Sequence, residues 1–269
     1  MAISCARPVV PGHHLGSARV IDLHTHILPG VDDGARTLDD ALGMARAAVA
    51  DGIRVVAATP HVRDDFPTTA ATMERGVAEL RQALAAAGVA LDVRPGGEIA
   101  LGELDRLGPD GLARFGLGGN PAYVLLEFPY VGWPLALAGR VHDLVARGVT
   151  PVLAHPERNA DVQAQPERLR PLVLGGALVQ VTAASLDGRT GKRTRQAGLV
   201  LVRAGLAHLV ASDAHTSAVR GIGLTEAARA VGDAALARWL TVDVPGAIVG
   251  GGPLPVRPQG RRRRRLFGW

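Results

Sequence analysis

Ile21-Asp22-Leu23-His24-Thr25-His26 is an apolar, strand-like run that ends in two histidines. Four later segments repeat this arrangement, each with a histidine or carboxylate after an apolar run: Ala58-Thr59-Pro60-His61, Gly96-Gly97-Glu98, Leu153-Ala154-His155-Pro156-Glu157-Arg158 and Ala211-Ser212-Asp213-Ala214-His215. In barrels of parallel strands, functional side chains gather where the strands end. The repetition therefore predicts strand ends that converge on a metal cluster.

Strand and helix patterns alternate along the rest of the chain. Strands are predicted at residues 20–23, 53–58, 91–94, 123–128, 150–154, 177–182 and 207–211. Helices are predicted at residues 37–50, 68–87, 134–147, 167–174 and 192–204, with two short helices between 224 and 240. Alternation of this kind is typical of a parallel sheet. It predicts an α/β fold, with a closed barrel favoured and an open doubly wound sheet as the alternative.

Length and composition indicate one catalytic domain. A chain of 269 residues, 47% of them apolar, can bury a core the size of one barrel. We expect an N-terminal extension at residues 1–19, the domain at residues 20–250, and a basic, disordered tail at residues 251–269. The tail is predicted because glycine, proline and arginine there replace the apolar periodicity that a packed core requires.

The positive charge of the chain belongs to this tail. The formal net charge is +5, and a run of five arginines from Arg261 to Arg265 accounts for all of it. The domain is therefore not expected to bind nucleic acid specifically. The run has three interpretations: a solvated tail, a contact with an anionic membrane or nucleic acid, or a contact with an acidic phosphoprotein.

Cysteine usage and hydropathy predict a cytoplasmic protein. Cys5 is the single cysteine, so the chain has neither a disulfide framework nor a cysteine-rich zinc site. The first twenty residues lack a charged start followed by an apolar run, which indicates that they are not an export signal. No apolar stretch reaches the roughly 18 residues that a membrane-spanning helix needs.

Imidazoles and carboxylates are the chemically active groups at the predicted strand ends. His24 and His26 are two residues apart on a strand, so they face the same side and can bind one metal together. Equivalent positions of later strands carry His61, Glu98, His155, Asp213 and His215, and the first loop carries Asp32 and Asp33. This ligand set without thiolate suits Mn, Zn or Fe. Such a cluster would acidify a bridging water and neutralise an attacked phosphate, so phosphoester hydrolysis is the expected reaction.

Two arginines follow the ligand candidates at short spacing. Arg158 lies three residues after His155, and Arg220 lies five residues after His215. A guanidinium group at either place could bind phosphate oxygens through paired hydrogen bonds. The alternatives are a pair between Arg158 and Glu157 and a solvated loop charge at Arg220.

These segments resemble the bacterial manganese-dependent protein-tyrosine phosphatases of the PHP superfamily, over about residues 20–250. Two further motifs, Leu28-Pro29-Gly30-Val31-Asp32-Asp33-Gly34 and Leu125-Leu126-Glu127-Phe128-Pro129, are similar to those of the capsule and exopolysaccharide regulating group within that superfamily. One segment departs from the pattern: relatives commonly have a second histidine after the Thr-Pro-His motif, whereas this chain has Val62-Arg63.

The resemblance implies a distorted (β/α)₇ barrel of the PHP type that holds three divalent metals, with Mn²⁺ expected. It places His24, His26, Glu98 and Asp213 on the first metal, Glu98, Glu127 and His155 on the second, and Asp33, His61 and His215 on the third. It also assigns phosphoryl binding to Arg158 and Arg220.

The function implied by the resemblance is the hydrolysis of phosphotyrosine on a protein by a metal-bridging hydroxide. The expected protein partner is a bacterial tyrosine kinase of polysaccharide synthesis or export. One alternative is a PHP phosphoesterase that acts on a small molecule such as histidinol phosphate, or on a nucleic-acid end. A second alternative is a non-catalytic scaffold, although a complete set of polar ligands is costly to keep in a domain without catalysis.

Overall fold

The computed structural model describes residues 19–216 and 221–259. Cys5, Arg220 and the five arginines at residues 261–265 lie outside this range. The predicted phosphate contact of Arg220 and the interpretations of the arginine run therefore stay predictions.

Strands and helices alternate through most of the described chain. The strands are β1 (Val20–Thr25), β2 (Ile53–Ala58), β3 (His61–Arg63), β4 (Phe66–Pro67), β5 (Asp92–Pro95), β6 (Glu98–Ala100), β7 (Tyr123–Glu127), β8 (Thr150–Ala154), β9 (Leu178–Thr182) and β10 (Leu209–Ala211). The α-helices are α1 (Leu38–Ala50), α2 (Ala70–Ala86), α3 (Leu104–Arg114), α4 (Leu137–Ala146), α5 (Ala160–Ala164), α6 (Arg170–Leu174), α7 (Ala183–Asp187), α8 (Lys192–Arg203), α9 (Leu224–Val231), α10 (Ala234–Arg238) and α11 (Val244–Gly250).

The strands form two largely parallel sheets. One has the order β1-β2-β5, and the other has the order β10-β9-β8-β7-β6-β3-β4. Within them only the short pair of β3 with β4 is antiparallel. The predicted α/β class is confirmed, because parallel neighbours are joined by helical connections.

Short links connect the two sheets. Two residues separate β2 from β3, and two glycines separate β5 from β6, so each pair runs on from one sheet into the other. On the far side, a parallel bridge joins Thr25 to Ala214, next to β10. This arrangement places the carboxyl ends of β2 and β5 next to the first residues of β3 and β6, and the carboxyl end of β1 next to the segment after β10.

Helix α3 is the main element that the sequence pattern did not predict. It contains Gly108 with φ +60° followed by Pro109, so two short helical pieces meet at a kink. Glycine and proline are the weakest helix formers, and proline cannot supply the backbone donor of a regular helix. Their presence hid the helical periodicity of this segment.

The start of the predicted basic tail contacts the domain. Residues 251–259 contain neither helix nor strand. The indole nitrogen of Trp239 donates a hydrogen bond to the Pro255 carbonyl at 2.9 Å, and the Arg257 guanidinium donates one to the Val202 carbonyl at 2.6 Å. Within the described ranges, none of the helices combines the length and apolarity that crossing a membrane requires.

His208, just before β10, is held in its neutral form. Its Nδ1 atom accepts a hydrogen bond from the Val179 backbone N–H at 3.1 Å, so this nitrogen carries a lone pair. Burial, followed by the positive charge of Arg257, lowers the pKa of His208 to about 4. Protonation would break the Val179 hydrogen bond and place two cations side by side.

Acid is therefore expected to destabilise the fold through His208. Between the folded pKa of about 4 and the unfolded value near 6.5, the folded state binds fewer protons than the unfolded state. The contribution of neutral His208 to the free energy of unfolding is therefore complete above pH 6.5 and is lost as the pH falls toward 4. Its full size is on the order of 3 kcal/mol.

His208→Asn keeps an acceptor for Val179 and should show a smaller fall in the free energy of unfolding between pH 7 and pH 5, measured with urea. Equal falls in wild type and variant would contradict this, and His142→Asn on the exposed side of α4 is the control.

Candidate metal centre

The predicted ligands meet just past the carboxyl ends of β1, β2, β5, β8 and β10 and at the end of β7. His24 lies on β1 with His26 just after it, His61 and Glu98 open β3 and β6, Glu127 closes β7, His155 follows β8, and Asp213 and His215 follow β10. Their potential ligand atoms form three groups, each within 4.8 Å: His24 with His26, Glu98 and Asp213; His26 with Asp33, His61 and His215; and His61 with Glu98 and Glu127. All are buried except Glu127, which is partly exposed, and Asp33, which is exposed.

In the first group, the nitrogen and oxygen atoms that could bind a metal lie close together and face one another. Asp213 Oδ1 lies 3.3 Å from Nε2 of His24 and 3.2 Å from Nε2 of His26. Glu98 Oε2 lies 3.3 Å and 3.4 Å from the same two nitrogens. The two Nε2 atoms are themselves 3.2 Å apart.

Hydrogen bonds at the other ring nitrogens decide which nitrogen of each histidine faces the group. His24 Nδ1 is 3.1 Å from Gln180 Oε1, and that oxygen also accepts the His155 backbone N–H at 3.2 Å, which identifies it as the oxygen. His26 Nδ1 is 2.7 Å from Asp32 Oδ2. Both Nδ1 atoms are therefore engaged outside the group, and both Nε2 atoms are the nitrogens that face it and can bind a metal.

Four electron-pair donors that converge in this way repel one another unless a cation lies between them. Glu98 Oε2 is buried and makes no hydrogen bond to any described residue. Burial raises the pKa of Glu98, but the charge of His24 and the hydrogen bond from His155 outweigh it and hold the pKa well below its usual range. The residues therefore fit a divalent metal with nitrogen and oxygen ligands.

The second group is built on the exposed carboxylate of Asp33. Its Oδ1 atom lies 3.3 Å from His61 Nε2 and 3.2 Å from His215 Nε2. His215 Nδ1 donates to the Asp213 carbonyl at 3.0 Å, so Nε2 is the nitrogen that faces the group. The hydrogen bonds from His215 and His61 lower the pKa of Asp33, so this carboxylate is ionised at neutral pH.

The third group differs in detail from the set that the resemblance implied. His61, rather than His155, offers a ligand atom close to both Glu98 and Glu127. His155 instead approaches Glu98, with Nε2 at 2.7 Å from Oε1. Arg63, in the segment that departs from the family pattern, lies with Nη1 at 2.5 Å from Glu127 Oε1. The carboxylate of Glu127 thus already has a cationic neighbour.

Two of the predicted ligands have unusual backbone conformations. His155 has φ +39° and Asp213 has φ +51°, both in the left-handed region that side chains other than glycine rarely adopt. Such strain is found mainly where a site requires it. A glycine is also required at position 34, because a Cβ atom there would lie 2.0 Å from the His26 carbonyl oxygen. Only glycine allows the Asp32-Asp33 loop to pack this closely over β1.

Three polar residues lie outside the three groups and orient the predicted ligands. Gln180 fixes His24, as described above. Asp32, which the sequence offered beside Asp33, hydrogen-bonds to His26 Nδ1 and also accepts the backbone N–H groups of Gly34 and His61, so it holds the loop in place. Asp22 accepts the Ser212 backbone N–H at 2.9 Å and ties β1 to the Asp213 segment. Sequence reasoning missed Gln180, and its only signal is a polar residue inside the apolar strand β9.

Arg158 lies beside the first group. Its Nη1 atom is 2.6 Å from Asp213 Oδ2 and 3.4 Å from the Tyr130 hydroxyl. The alternative partner, Glu157, hydrogen-bonds elsewhere, because its Oε1 atom accepts from the Thr182 backbone and the Ser185 hydroxyl. The guanidinium group therefore stands at the edge of the ligand cluster.

The sequence matches a known family over most of this fold. Residues 20–239 match the family described as "Capsular polysaccharide synthesis, CpsB/CapC". The chain belongs to this family. The predicted resemblance to the capsule and exopolysaccharide regulating group is thereby confirmed.

Individual relatives match most of the chain, and one of them matches nearly all of it. "Tyrosine-protein phosphatase YwqE" of Bacillus subtilis is 37% identical over 261 residues, which cover 93% of this chain and 100% of that protein. "Putative tyrosine-protein phosphatase CapC" of Staphylococcus aureus is 31% identical and covers 73% of this chain and 77% of that protein. "Tyrosine-protein phosphatase CpsB" of Streptococcus agalactiae serotype III is 27% identical and covers 77% of this chain and 88% of that protein.

The fold is also similar to a solved structure. That structure comes from a study of "YwqE from Bacillus subtilis and CpsB from Streptococcus pneumoniae, unique metal-dependent tyrosine phosphatases". This structure has a TM-score of 0.81 and 34% identity, and the match covers 90% of this chain and 100% of that chain. The solved relatives are called metal-dependent, and this chain has three groups of residues that could bind a metal.

Proposed function

We propose that this chain is a metal-dependent phosphatase that hydrolyses phosphotyrosine on a protein. The observation that carries the proposal is the convergence of the His24 and His26 Nε2 atoms with two ionised carboxylates, beside the guanidinium of Arg158. Its YwqE, CapC and CpsB relatives bear the name of tyrosine-protein phosphatases, and one solved relative is called metal-dependent.

We assign metal binding to the predicted residues His24, His26, Asp33, His61, Glu98, Glu127, His155, Asp213 and His215. Bound divalent cations supply an acidified water and neutralise phosphoryl charge. Arg158 binds the phosphoryl oxygens through its fork of donors, and Arg220 is assigned the same role from the sequence alone. Manganese, at three sites, is the proposed metal, with zinc or iron as alternatives that the same ligands accept.

The proposed architecture is one distorted (β/α)₇ barrel over residues 20–250. It is supported by the links of β2 with β3 and β5 with β6, and by the Thr25 to Ala214 bridge. We place the protein in the cytoplasm, where a single cysteine without a disulfide partner is in keeping with a reducing environment.

The proposed substrate is a bacterial tyrosine kinase of polysaccharide synthesis or export. Membership of a capsular polysaccharide synthesis family supports this choice. The alternatives are a small phosphate ester such as histidinol phosphate and a 5′-phosphorylated nucleic-acid end, because the same cluster would serve them chemically.

Phosphate release by metal-stripped protein tests the proposal. The protein should be assayed with and without Mn²⁺, Zn²⁺ or Fe²⁺ on a phosphotyrosine peptide, histidinol phosphate and a 5′-phosphorylated oligonucleotide. Metal-dependent release from the peptide above both others is expected. A preference for another substrate would overturn the substrate assignment, and release that is independent of metal would overturn the site.

A further inference from the structure

Tyr130 lies beside the proposed reaction site, and the proposed reaction assigns no function to it. It lies in the loop between β7 and α4, and 47% of its surface is exposed. Its ring stacks in parallel on the imidazole of His155, with 5.8 Å between the ring centres and 4° between the planes. Its hydroxyl is 3.4 Å from Arg158 Nη1, so one side chain contacts both a proposed ligand and the proposed phosphate-binding residue.

A cavity of about 330 Å³ opens at this place. It is lined by Tyr130, Arg158, Gln163, Thr190 and Thr194. Tyr130 supplies the one aromatic ring of that described lining, and the other residues are polar or charged. A ligand that combines an anionic group for Arg158 with a flat apolar group for Tyr130 suits this combination.

The loop that carries Tyr130 is fixed to the arginine. Asn159, the residue after Arg158, is buried and its side-chain nitrogen donates to the carbonyls of Pro129 at 2.7 Å and Gly132 at 2.9 Å. The Ala160 backbone N–H donates to the Tyr130 carbonyl at 3.1 Å. Hydrogen bonds on both sides of Tyr130 and at its own carbonyl hold the ring and the guanidinium in one arrangement.

We propose that Tyr130 is a specificity-determining residue that packs against the phenyl ring of phosphotyrosine, and so selects aryl over alkyl phosphate esters. The inference rests on the proposed phosphatase function and adds the surface that recognises the leaving group. In phosphotyrosine the ring is bonded directly to the ester oxygen. A phosphoryl group held at Arg158 therefore brings that ring to the wall of the same cavity.

Binding of two inhibitors to three proteins tests the inference. The inhibitors are phosphonomethyl-phenylalanine, which has the ring but cannot be hydrolysed, and inorganic phosphate, which lacks the ring. In the metal-loaded protein, Tyr130→Ala should weaken the aryl phosphonate by about 2- to 13-fold, the range of an aromatic pair. Phosphate binding should change less than twofold, and Tyr130→Phe should bind both inhibitors as wild type does.

Three outcomes would overturn the role of Tyr130: no loss in Tyr130→Ala, equal losses for the two inhibitors, or an equal loss in Tyr130→Phe, which would assign the effect to the hydroxyl. Metal content and thermal unfolding of the variants should match wild type and exclude a folding defect. A wild type that binds the aryl phosphonate in a Tyr130-dependent way but does not hydrolyse phosphotyrosine would keep the ring site and reject the proposed phosphatase function.

Discussion

His26→Ala should abolish turnover and lower the bound metal together. His26 belongs to two of the three ligand groups, so its loss removes a ligand from both. Changing a residue that only orients a metal ligand typically costs 10–100-fold in affinity or activity, so a change to the ligand itself should exceed about a hundredfold. The measurements are metal content after dialysis, by elemental analysis, and kcat on a phosphotyrosine peptide.

A matched control for His26 is available in the same chain. His142 is exposed on α4, away from the ligand groups, and His142→Ala should keep full metal content and activity. A His26→Ala protein with wild-type metal content and wild-type kcat would contradict the assigned metal centre. Thermal unfolding of the metal-stripped proteins separates loss of ligand from loss of fold.

Arg158→Ala should lower kcat/KM on the order of a thousandfold while bound metal stays close to wild type. An arginine that stabilises a transferring phosphoryl group is worth at least about a thousandfold in known phosphoryl-transfer enzymes. Arg158 is the described arginine that contacts Asp213, and it is almost fully buried, with 11% of its side chain exposed. Phosphate, measured as a competitive inhibitor, should bind more weakly to the variant.

Two further variants define the role of this arginine. Arg158→Lys keeps the positive charge but loses the paired donors, so it should restore only part of the activity. Arg170→Ala removes an exposed guanidinium that is paired with Glu167 on the surface, and it should behave as wild type. If Arg158→Ala instead lost its metal with unchanged phosphate affinity, the arginine would act by holding Asp213 in place and would not bind the substrate.

The histidine and carboxylate motifs predicted which residues come together. Strand ends in a parallel α/β fold lie on one side, so residues as distant as His24 and Asp213 could be placed in one cluster from sequence alone. The structure brings these two within 3.3 Å. Helix α3 was missed because its glycine and proline mask the periodicity on which the prediction depends.

The sequence by itself determined the α/β class, the family and the candidate ligands, because each depends on local patterns of residue type. Only the tertiary structure decided how the ligands are grouped and oriented. Gln180 is 156 residues from His24, and Tyr130 is 28 residues from Arg158. Contacts over such separations depend on strand register and loop conformation, as do the left-handed backbones of His155 and Asp213. No local pattern encodes these features, since they arise only when the strands pack side by side.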